Sequence, residues 1–269
     1  MHSRVSINTL CLTPASLREQ AEIIARLGAR AATPVIDQVL AEGINSAAGI
    51  FRDAGLGVAG LTHLSFGFAT PDKASAERAR LLQSIGIAAQ IGAQNIVMTT
   101  GNRGEHSWPE AAKRFADAMA PCAEAARAAG IGLGIEPTSH LYAHASIAHR
   151  LADTVTLARM GGISPIIDIF ACWTDSDIDE ALHAAAPLCP LAQISDYVYG
   201  DRGLPCRAIP GDGAIPFERI VPVMAKAGFT GWWDLEILGP RIVEEGPEAG
   251  LKRAAAHIGN LLEQAGVVE

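Results

Sequence analysis

The chain alternates eight short apolar segments with longer alanine-rich segments, and no other feature constrains its fold as strongly. The apolar segments have the length and composition of buried strands. Between them, apolar residues recur every three or four positions, which predicts amphipathic helices. Eight strands that are each followed by a helix, over roughly 250 residues, are typical of a (β/α)8 barrel. The strand-like segments are RVSINTLCL, ARAATPVID, LGVAGLTHL, NIVMTTG, IGLGIEPT, SPIIDIFAC, CPLAQISD and GWWDLEIL.

We therefore predict an α/β fold, a (β/α)8 TIM barrel, that occupies residues 1–269 as a single domain. Helix boundaries support this division, because several helix-like segments end in Gly and others follow a capping residue such as Ser16 or Asp175. The alternative is a doubly wound open sheet, which usually has a glycine-rich turn after its first strand. Here the first strand continues into LCLTPASL, without a GxGxxG motif.

Composition narrows the class of protein. The formal net charge is −8, which disfavours nucleic acid as a partner because phosphate binding requires clustered Lys and Arg. The sequence contains neither a run of about 18 apolar residues nor a signal peptide pattern at its start, so we expect no membrane association. The five cysteines are odd in number and show no CxxC spacing, which indicates buried thiols and a cytoplasmic location.

Polar side chains stand at the ends of the last four predicted strands. Glu136 ends the fifth strand, Asp168 the sixth, Gln193 the seventh and Glu236 the eighth. Side chains alternate between the two faces of a strand, so each of these groups can point toward the barrel axis while its apolar neighbours face the helices. The catalytic sites of such barrels lie where the carboxyl ends of the strands meet. We therefore predict that these four side chains converge.

Three converging carboxylates favour a bound cation. Carboxylates in one site cannot all stay ionised unless a positive charge holds them. Carboxylate and amide oxygens are hard ligands, which favours one divalent ion, Mn²⁺ or Mg²⁺, with Co²⁺, Fe²⁺ or Zn²⁺ as alternatives. The predicted ligands are Glu136, Asp168, Gln193 and Glu236. The absence of a histidine from this set weakens the case for zinc.

Four motifs resemble those of the xylose isomerase-like barrel superfamily in the right order. They are IEP at 135–137, QISD at 193–196, PGDGAIPF at 210–217 and LE at 235–236. That superfamily includes sugar isomerases and epimerases, 3-dehydroshikimate dehydratase and endonuclease IV. The resemblance implies a metal-dependent enzyme that removes a proton next to the carbonyl of a sugar or hydroxy ketone, with Glu136 and Glu236 as catalytic residues.

Two departures from the family pattern keep alternative functions open. The sugar epimerases usually carry histidine as the third ligand, where this chain has Gln193, and a second histidine where it has Ala171. Gln193 resembles the third ligand of the dehydroshikimate dehydratases. We rank an isomerase or epimerase first and a dehydratase-type lyase second. A catalytically degenerate barrel that only binds a ligand is third.

Other polar and aromatic residues stand near predicted strand ends, where they would bind a small-molecule sugar or hydroxy-ketone substrate. Each is also explained by packing or by a solvated loop. Asp196 has the opposite strand phase to Gln193, which predicts that it anchors a loop. The long segment 197–215 is predicted to be a functional loop. Homo-oligomers are common in the family, but no interface can be located from the sequence. The predicted substrate-binding residues are His63, Arg103, His106, His140, Trp173 and Arg207, with Arg202 and His144 as weaker candidates.

Overall fold

The computed structural model describes residues 1–268 and contains ten short strands, all of which pair in parallel. Parallel pairing throughout requires a crossover after each strand, and helices provide these crossovers. The strands are β1 (Val5–Asn8), β2 (Ala31–Thr33), β3 (Gly57–Val58), β4 (Leu61–Ser65), β5 (Asn95–Thr99), β6 (Gly132–Ile135), β7 (Ser164–Pro165), β8 (Ile167–Asp168), β9 (Leu191–Ile194) and β10 (Trp232–Leu235).

The ten strands occupy eight positions around a barrel. One arc has the order β3-β2-β1-β10-β9-β8 and the other has the order β4-β5-β6-β7. The arcs share two interrupted strands, since β3 runs on into β4 and β7 runs on into β8. At one of these breaks the Ile166 N–H donates to the carbonyl oxygen of Ile135 at 2.8 Å. The eight-stranded barrel predicted from the sequence is confirmed.

Residues 1–268 contain eleven α-helices, most of which pack outside the strands. The predicted cap at Ser16 is confirmed, because its hydroxyl and the Glu19 carboxylate form a reciprocal capping box. The helices are α1 (Leu17–Arg26), α2 (Ile36–Glu42), α3 (Ile44–Asp53), α4 (Pro71–Ile91), α5 (Trp108–Ala129), α6 (Leu151–Gly161), α7 (Ile169–Cys172), α8 (Ile178–Ala185), α9 (Phe217–Lys226), α10 (Pro240–Glu245) and α11 (Pro247–Gln264).

Two local predictions differ from the structure. The first strand ends at Asn8 rather than at Leu12, because the Asn8 side chain accepts the Leu10 N–H and starts a 3-10 helix over Thr9–Leu12. Asp175 does not begin α8, which starts at Ile178. Its carboxylate instead accepts the N–H of Leu151 at 2.8 Å, at the start of α6. Asp175 therefore caps a helix that precedes it in the chain.

The barrel interior is apolar at one end and polar at the other. A small cluster of Ala31, Ala59, Val97, Ile166 and Leu191 fills the part nearer the amino ends of the strands. The main core lies outside the strands, between sheet and helices. These small and branched side chains fill the barrel interior below the carboxyl ends of the strands, which leaves room for a cavity at the carboxyl end.

All five cysteines are buried with free thiols. Within residues 1–268, no helix is both long and apolar enough to cross a membrane.

Candidate active site

A cavity of about 360 Å³ opens at the carboxyl ends of the strands. Four residues predicted for the site lie on its wall: Glu136, Asp168, Glu236 and Arg207. The acids directly follow or end the strands β6, β8 and β10, whereas Arg207 comes from the long loop after β9. Position at the carboxyl end of a barrel strand is where catalytic groups of this fold occur.

Strand register brings the polar groups into adjacent layers. Asp168 pairs with Gln193, Gln193 with Asp234, and Asp234 with Ser6. Register partners share one face of a sheet, so these four side chains form one layer inside the barrel. Glu236 lies two residues beyond Asp234, on the same face and one step nearer the cavity. The alternation read from the sequence therefore places the acids correctly.

The Arg207 guanidinium is the cation at the centre of this cluster. It binds Asp168 with two hydrogen bonds, at 3.1 and 2.7 Å, and lies 3.2 Å from a carboxylate oxygen of Glu236. It also donates to the Ser195 hydroxyl at 2.9 Å and stands 4.7 Å from the centre of the Phe170 ring. Bidentate pairing and aromatic stacking both hold a guanidinium in one orientation.

Arg207 and the acidic side chains shift one another's pKa values. Burial opposes the charge on Arg207, but the carboxylates of Asp168 and Glu236 outweigh it and raise its pKa. Burial raises the pKa of Glu236 to about 7, an effect that Arg207 counteracts and Asp168 reinforces. Burial, together with the charges of Glu236 and Asp168, raises the pKa of Glu136 well above its ordinary value. Two glutamates with raised pKa values in one cavity are suited to proton transfer.

Gln193 lies beneath the two glutamates. Its side chain is buried, and its amide partly offsets the rise in the pKa of Glu136 and of Glu236. The amide oxygen of Gln193 makes no hydrogen bond, and neither does one carboxylate oxygen of Glu136. Buried acceptors without partners are rare and mark places where a ligand or ion completes the structure.

The residues at this site fit a divalent cation. They supply two unpartnered buried oxygens and two further carboxylates, which are hard donors of the kind that Mn²⁺ or Mg²⁺ takes. Among residues 1–268, however, no three acidic, histidine or cysteine side chains stand close enough together to form a ready-made metal site. Arg207 holds Asp168 and Glu236 instead. A cation that used Asp168 would have to displace this guanidinium.

A further buried acid, Asp234, lies beneath Glu236 on β10. Its oxygens accept hydrogen bonds from Ser6 at 2.6 Å, Thr33 at 2.8 Å and Asn8 at 3.3 Å. Asn8 also reaches Glu236 at 3.5 Å. Burial nevertheless raises the pKa of Asp234 to about 6. These contacts fix the strand that carries Glu236. Asn8 was not identified from the sequence, although its position as a polar residue in the first strand segment could have indicated it.

Asp196 anchors the loop that carries Arg207. The buried carboxylate accepts four backbone N–H groups, from Tyr197, Gly211, Gly213 and Ile215, at 2.8–3.0 Å. A Cβ on Gly213 would lie 2.3 Å from the Asp196 carboxylate, so only glycine fits there. The side chain thus has the anchoring role that its phase in the sequence predicted.

Replacing Asp196 with alanine is expected to lower the free energy of unfolding by about 3 kcal/mol, because buried N–H groups lose their acceptor. The matched control is Asp212→Asn in the same loop, whose exposed ion pair with Arg253 contributes at most about 1 kcal/mol. Urea unfolding of both variants and the native protein measures the difference. Equal losses in the two variants would contradict the anchoring role.

The structure does not bring His63 to the cavity. Its ring is fully buried, and its Nδ1 lies 2.9 Å from the Ser84 hydroxyl on α4. The register of β4 shifts between Thr62 and Leu64, so the alternation of side chains breaks at this point. Thr62 and Leu64 line the cavity, while His63 faces the helix layer. A bulge of this kind cannot be read from apolar periodicity.

His63 should make stability depend on pH. Burial, and then the charge of Arg80, lowers its pKa to about 3 in the folded protein, against about 6.5 unfolded. The unfolded state therefore binds more protons below pH 6.5, so stability is complete above that pH and falls as pH drops. We expect about 2 kcal/mol less stability at pH 5 than at pH 7 from this residue.

Urea unfolding of His63→Asn at both pH values tests this expectation, since the variant should lose most of that pH-dependent difference. The control is His183→Asn, because His183 is exposed on α8. A His63→Asn variant with the native pH dependence would show that the buried ring does not cause it.

The remaining predicted substrate residues lie off the cavity wall. Arg103 and His140 are exposed. His106 is half-buried, with its Nε2 3.3 Å from the carbonyl oxygen of Ala69. Trp173 packs against the rings of Tyr197 and Tyr199, and of the weaker candidates, Arg202 and His144 are also exposed. These side chains come from loops whose path depends on contacts far along the chain.

Several wall residues were not identified from the sequence. They are ordinary apolar or hydroxyl residues that become part of the site only through the fold. Phe170 lies on the wall beneath the Arg207 guanidinium. Ser195, which is buried behind the wall, accepts a hydrogen bond from Arg207. Further wall residues are Leu10, Thr62, Leu64, Met98, Thr99, Thr138, Leu204 and Leu238.

Comparisons with known proteins agree with this architecture. A Streptomyces coelicolor protein whose name proposes hydroxypyruvate isomerase activity is 28% identical, over 76% of each chain. The solved IolI protein with a bound zinc atom has a TM-score of 0.86 at 14% identity, and the match covers 98% of this chain and 100% of that one. A solved L-ribulose 3-epimerase has a TM-score of 0.80 at 22% identity, covering 98% and 95%.

The sequence profile of the xylose isomerase-like TIM barrel matches residues 21–261. This match spans nearly all of the strands and helices described above, including every residue of the acidic cluster. The chain therefore belongs to the xylose isomerase-like TIM barrel family.

Proposed function

We propose that the protein is a cytoplasmic, divalent-metal-dependent isomerase or epimerase that removes a proton next to the carbonyl of a sugar or hydroxy ketone. The observation that carries this proposal is the placement of Glu136 and Glu236, both with raised pKa values, in one cavity with Asp168 and Arg207. The named activities of the Streptomyces coelicolor relative and of the L-ribulose 3-epimerase support the same reaction class.

The two glutamates would exchange the proton. A base near neutrality can take the proton from carbon, and an acid of similar pKa can return it at the neighbouring position or on the other face. Either Glu136 or Glu236 can serve as the base. The cavity floor is buried, so bulk water is kept from the intermediate carbanion. Arg207 would orient a substrate oxygen once it is released from part of its pairing with the acids.

Glu136, Asp168, Gln193 and Glu236 would hold the metal ion. A bound divalent ion would polarise the substrate carbonyl and stabilise negative charge on its oxygen. The zinc atom in the IolI protein supports metal use by this fold. We propose Mn²⁺ or Mg²⁺ for this chain, because all four donors are oxygens.

A dehydratase of the 3-dehydroshikimate type is the second candidate. It begins with the same proton removal, after which a neighbouring hydroxyl group takes up a proton and leaves as water. Gln193 favours it, and so does Ala171, which places only a methyl group on the cavity wall where the epimerases carry a histidine.

Proton NMR in D₂O on Mn²⁺-loaded protein separates these candidates. Free ketoses, hydroxypyruvate and 3-dehydroshikimate are the test compounds, with the metal removed before spectra are read. Deuterium at the carbon beside the carbonyl, with all hydroxyl groups retained, supports the isomerase or epimerase. Vinylic or aromatic signals support the dehydratase. No reaction with any compound, together with no binding of Mn²⁺ or Mg²⁺, would overturn the proposal.

A further inference from the structure

The cavity has a charged floor and an apolar rim. Asp168 and Glu236 are 2% and 6% exposed, so the carboxylates lie at the bottom. Around them stand half-buried or exposed apolar side chains from five different segments of the chain. These are Leu10, Leu64, Phe170, Leu204 and Leu238. Carbon atoms make up most of the wall.

Leu64 is held at the rim in an unfavourable backbone conformation. It is the one non-glycine residue with a positive φ, 74°, among residues 1–268, and its side chain remains 46% exposed. This left-handed conformation is unfavourable in free energy for a leucine, whereas Gly or Asn adopts it far more easily. Backbone strain of this kind is found at functional sites. At this strained position Leu64 presents an exposed apolar side chain to the cavity.

The wall offers no free cation to a charged substrate. It carries three carboxyl groups and one guanidinium, and no lysine or histidine. Arg207 already contacts Asp168 and Glu236. A phosphate group would have to compete with these two acids for the one guanidinium.

From these features we infer that the substrate is an uncharged hydroxy ketone with an apolar end, of the deoxy-ketose type. Its hydroxy-carbonyl end lies on the acidic floor, and its methyl or methylene end contacts Leu64, Leu204 and Leu238. This inference rests on the proposed function and adds the chemical class of the substrate.

Selectivity follows from desolvation. A terminal hydroxyl placed against the leucine rim would lose its hydrogen bonds to water and gain none. A methyl group there loses nothing and buries apolar surface. We expect a deoxy sugar to bind about tenfold more tightly than its fully hydroxylated counterpart, and a phosphate ester to bind more weakly than both.

Calorimetric titration of the Mg²⁺-loaded 269-residue chain tests this order. The probes are a 6-deoxy-ketohexose, the ketohexose of the same configuration and its 6-phosphate. In Leu64→Asn, the tenfold preference should fall to threefold or less, because asparagine has a similar size, tolerates the backbone conformation and is polar. Leu188→Asn is the matched control, since Leu188 is 49% exposed and lies before β9, at the opposite end of the barrel. It should keep the tenfold preference.

Equal or tighter binding of the ketohexose or its phosphate would overturn the inference, and so would failure of all three probes to bind. Deuterium exchange beside the carbonyl, measured separately on the same probes, tests the proposed reaction. Preferred binding of the deoxy sugar without exchange would support the substrate class and contradict the reaction. Exchange without preference would support the reaction and contradict the substrate class.

Discussion

Glu136→Gln and Glu236→Gln are each expected to lower the rate of proton exchange at least 10³-fold. Removal of a general acid or base costs about 10²–10⁴-fold, and each substitution also removes a predicted ligand of the metal. Glutamine keeps the shape of the side chain but neither accepts a proton in this pH range nor carries charge. The rate of deuterium incorporation beside the substrate carbonyl measures the loss.

Stability should respond in the opposite direction. The carboxylates of Glu136, Glu236 and Asp168 repel one another in a buried site, since the charges of Glu236 and Asp168 both raise the pKa of Glu136. Replacing one charge with a neutral amide removes part of that repulsion, so the variants should unfold no more easily than the native protein. Glu263→Gln, exposed on α11, is the control that should leave both rate and stability unchanged.

An outcome in which both variants retain more than a tenth of the native rate would show that neither glutamate moves the proton. If only one variant retains that rate, the glutamate that is replaced in the other variant is the base. This comparison assigns the role that position at the strand end leaves open.

The acidic cluster could be predicted from sequence because regular strands place it. Glu136 and Glu236 follow β6 and β10 directly, and Asp168 ends β8. The period of two in a strand then fixes the face on which each side chain lies. Short-range pattern and barrel topology together were enough, and no contact between distant residues had to be known.

The cavity wall and the position of Arg207 could not be fully predicted, because they depend on contacts between distant parts of the chain. The partners of Arg207 depend on the path of the loop after β9, and Asp196 holds that path with four backbone N–H groups that have no periodic pattern. His63 was misplaced by a bulge in β4. Leu64 adopts a backbone conformation that is usual for glycine or asparagine, so a leucine at this position did not indicate that conformation.

The second large effect concerns Arg207, which pairs with two of the acids that we propose as metal ligands. In metal-free protein, Arg207→Met should lower the free energy of unfolding by about 3 kcal/mol, because Asp168 and Glu236 stay buried without a counter-charge. Methionine keeps the bulk of the aliphatic stem but removes the guanidinium that lies over the Phe170 ring. Added Mn²⁺ should then stabilise the variant more than the native protein, since no guanidinium competes for Asp168.

Thermal unfolding with and without Mn²⁺ measures both effects. Arg219→Met is the control, because Arg219 pairs with Asp179 on the surface, where both side chains are about half exposed, and such a pair contributes at most about 1 kcal/mol. A native-like Tm for metal-free Arg207→Met, with equal Mn²⁺ shifts in both proteins, would show that Arg207 does not balance the acids. A large Mn²⁺ shift confined to Arg207→Met would mean that the arginine and the metal ion occupy the same carboxylates in turn.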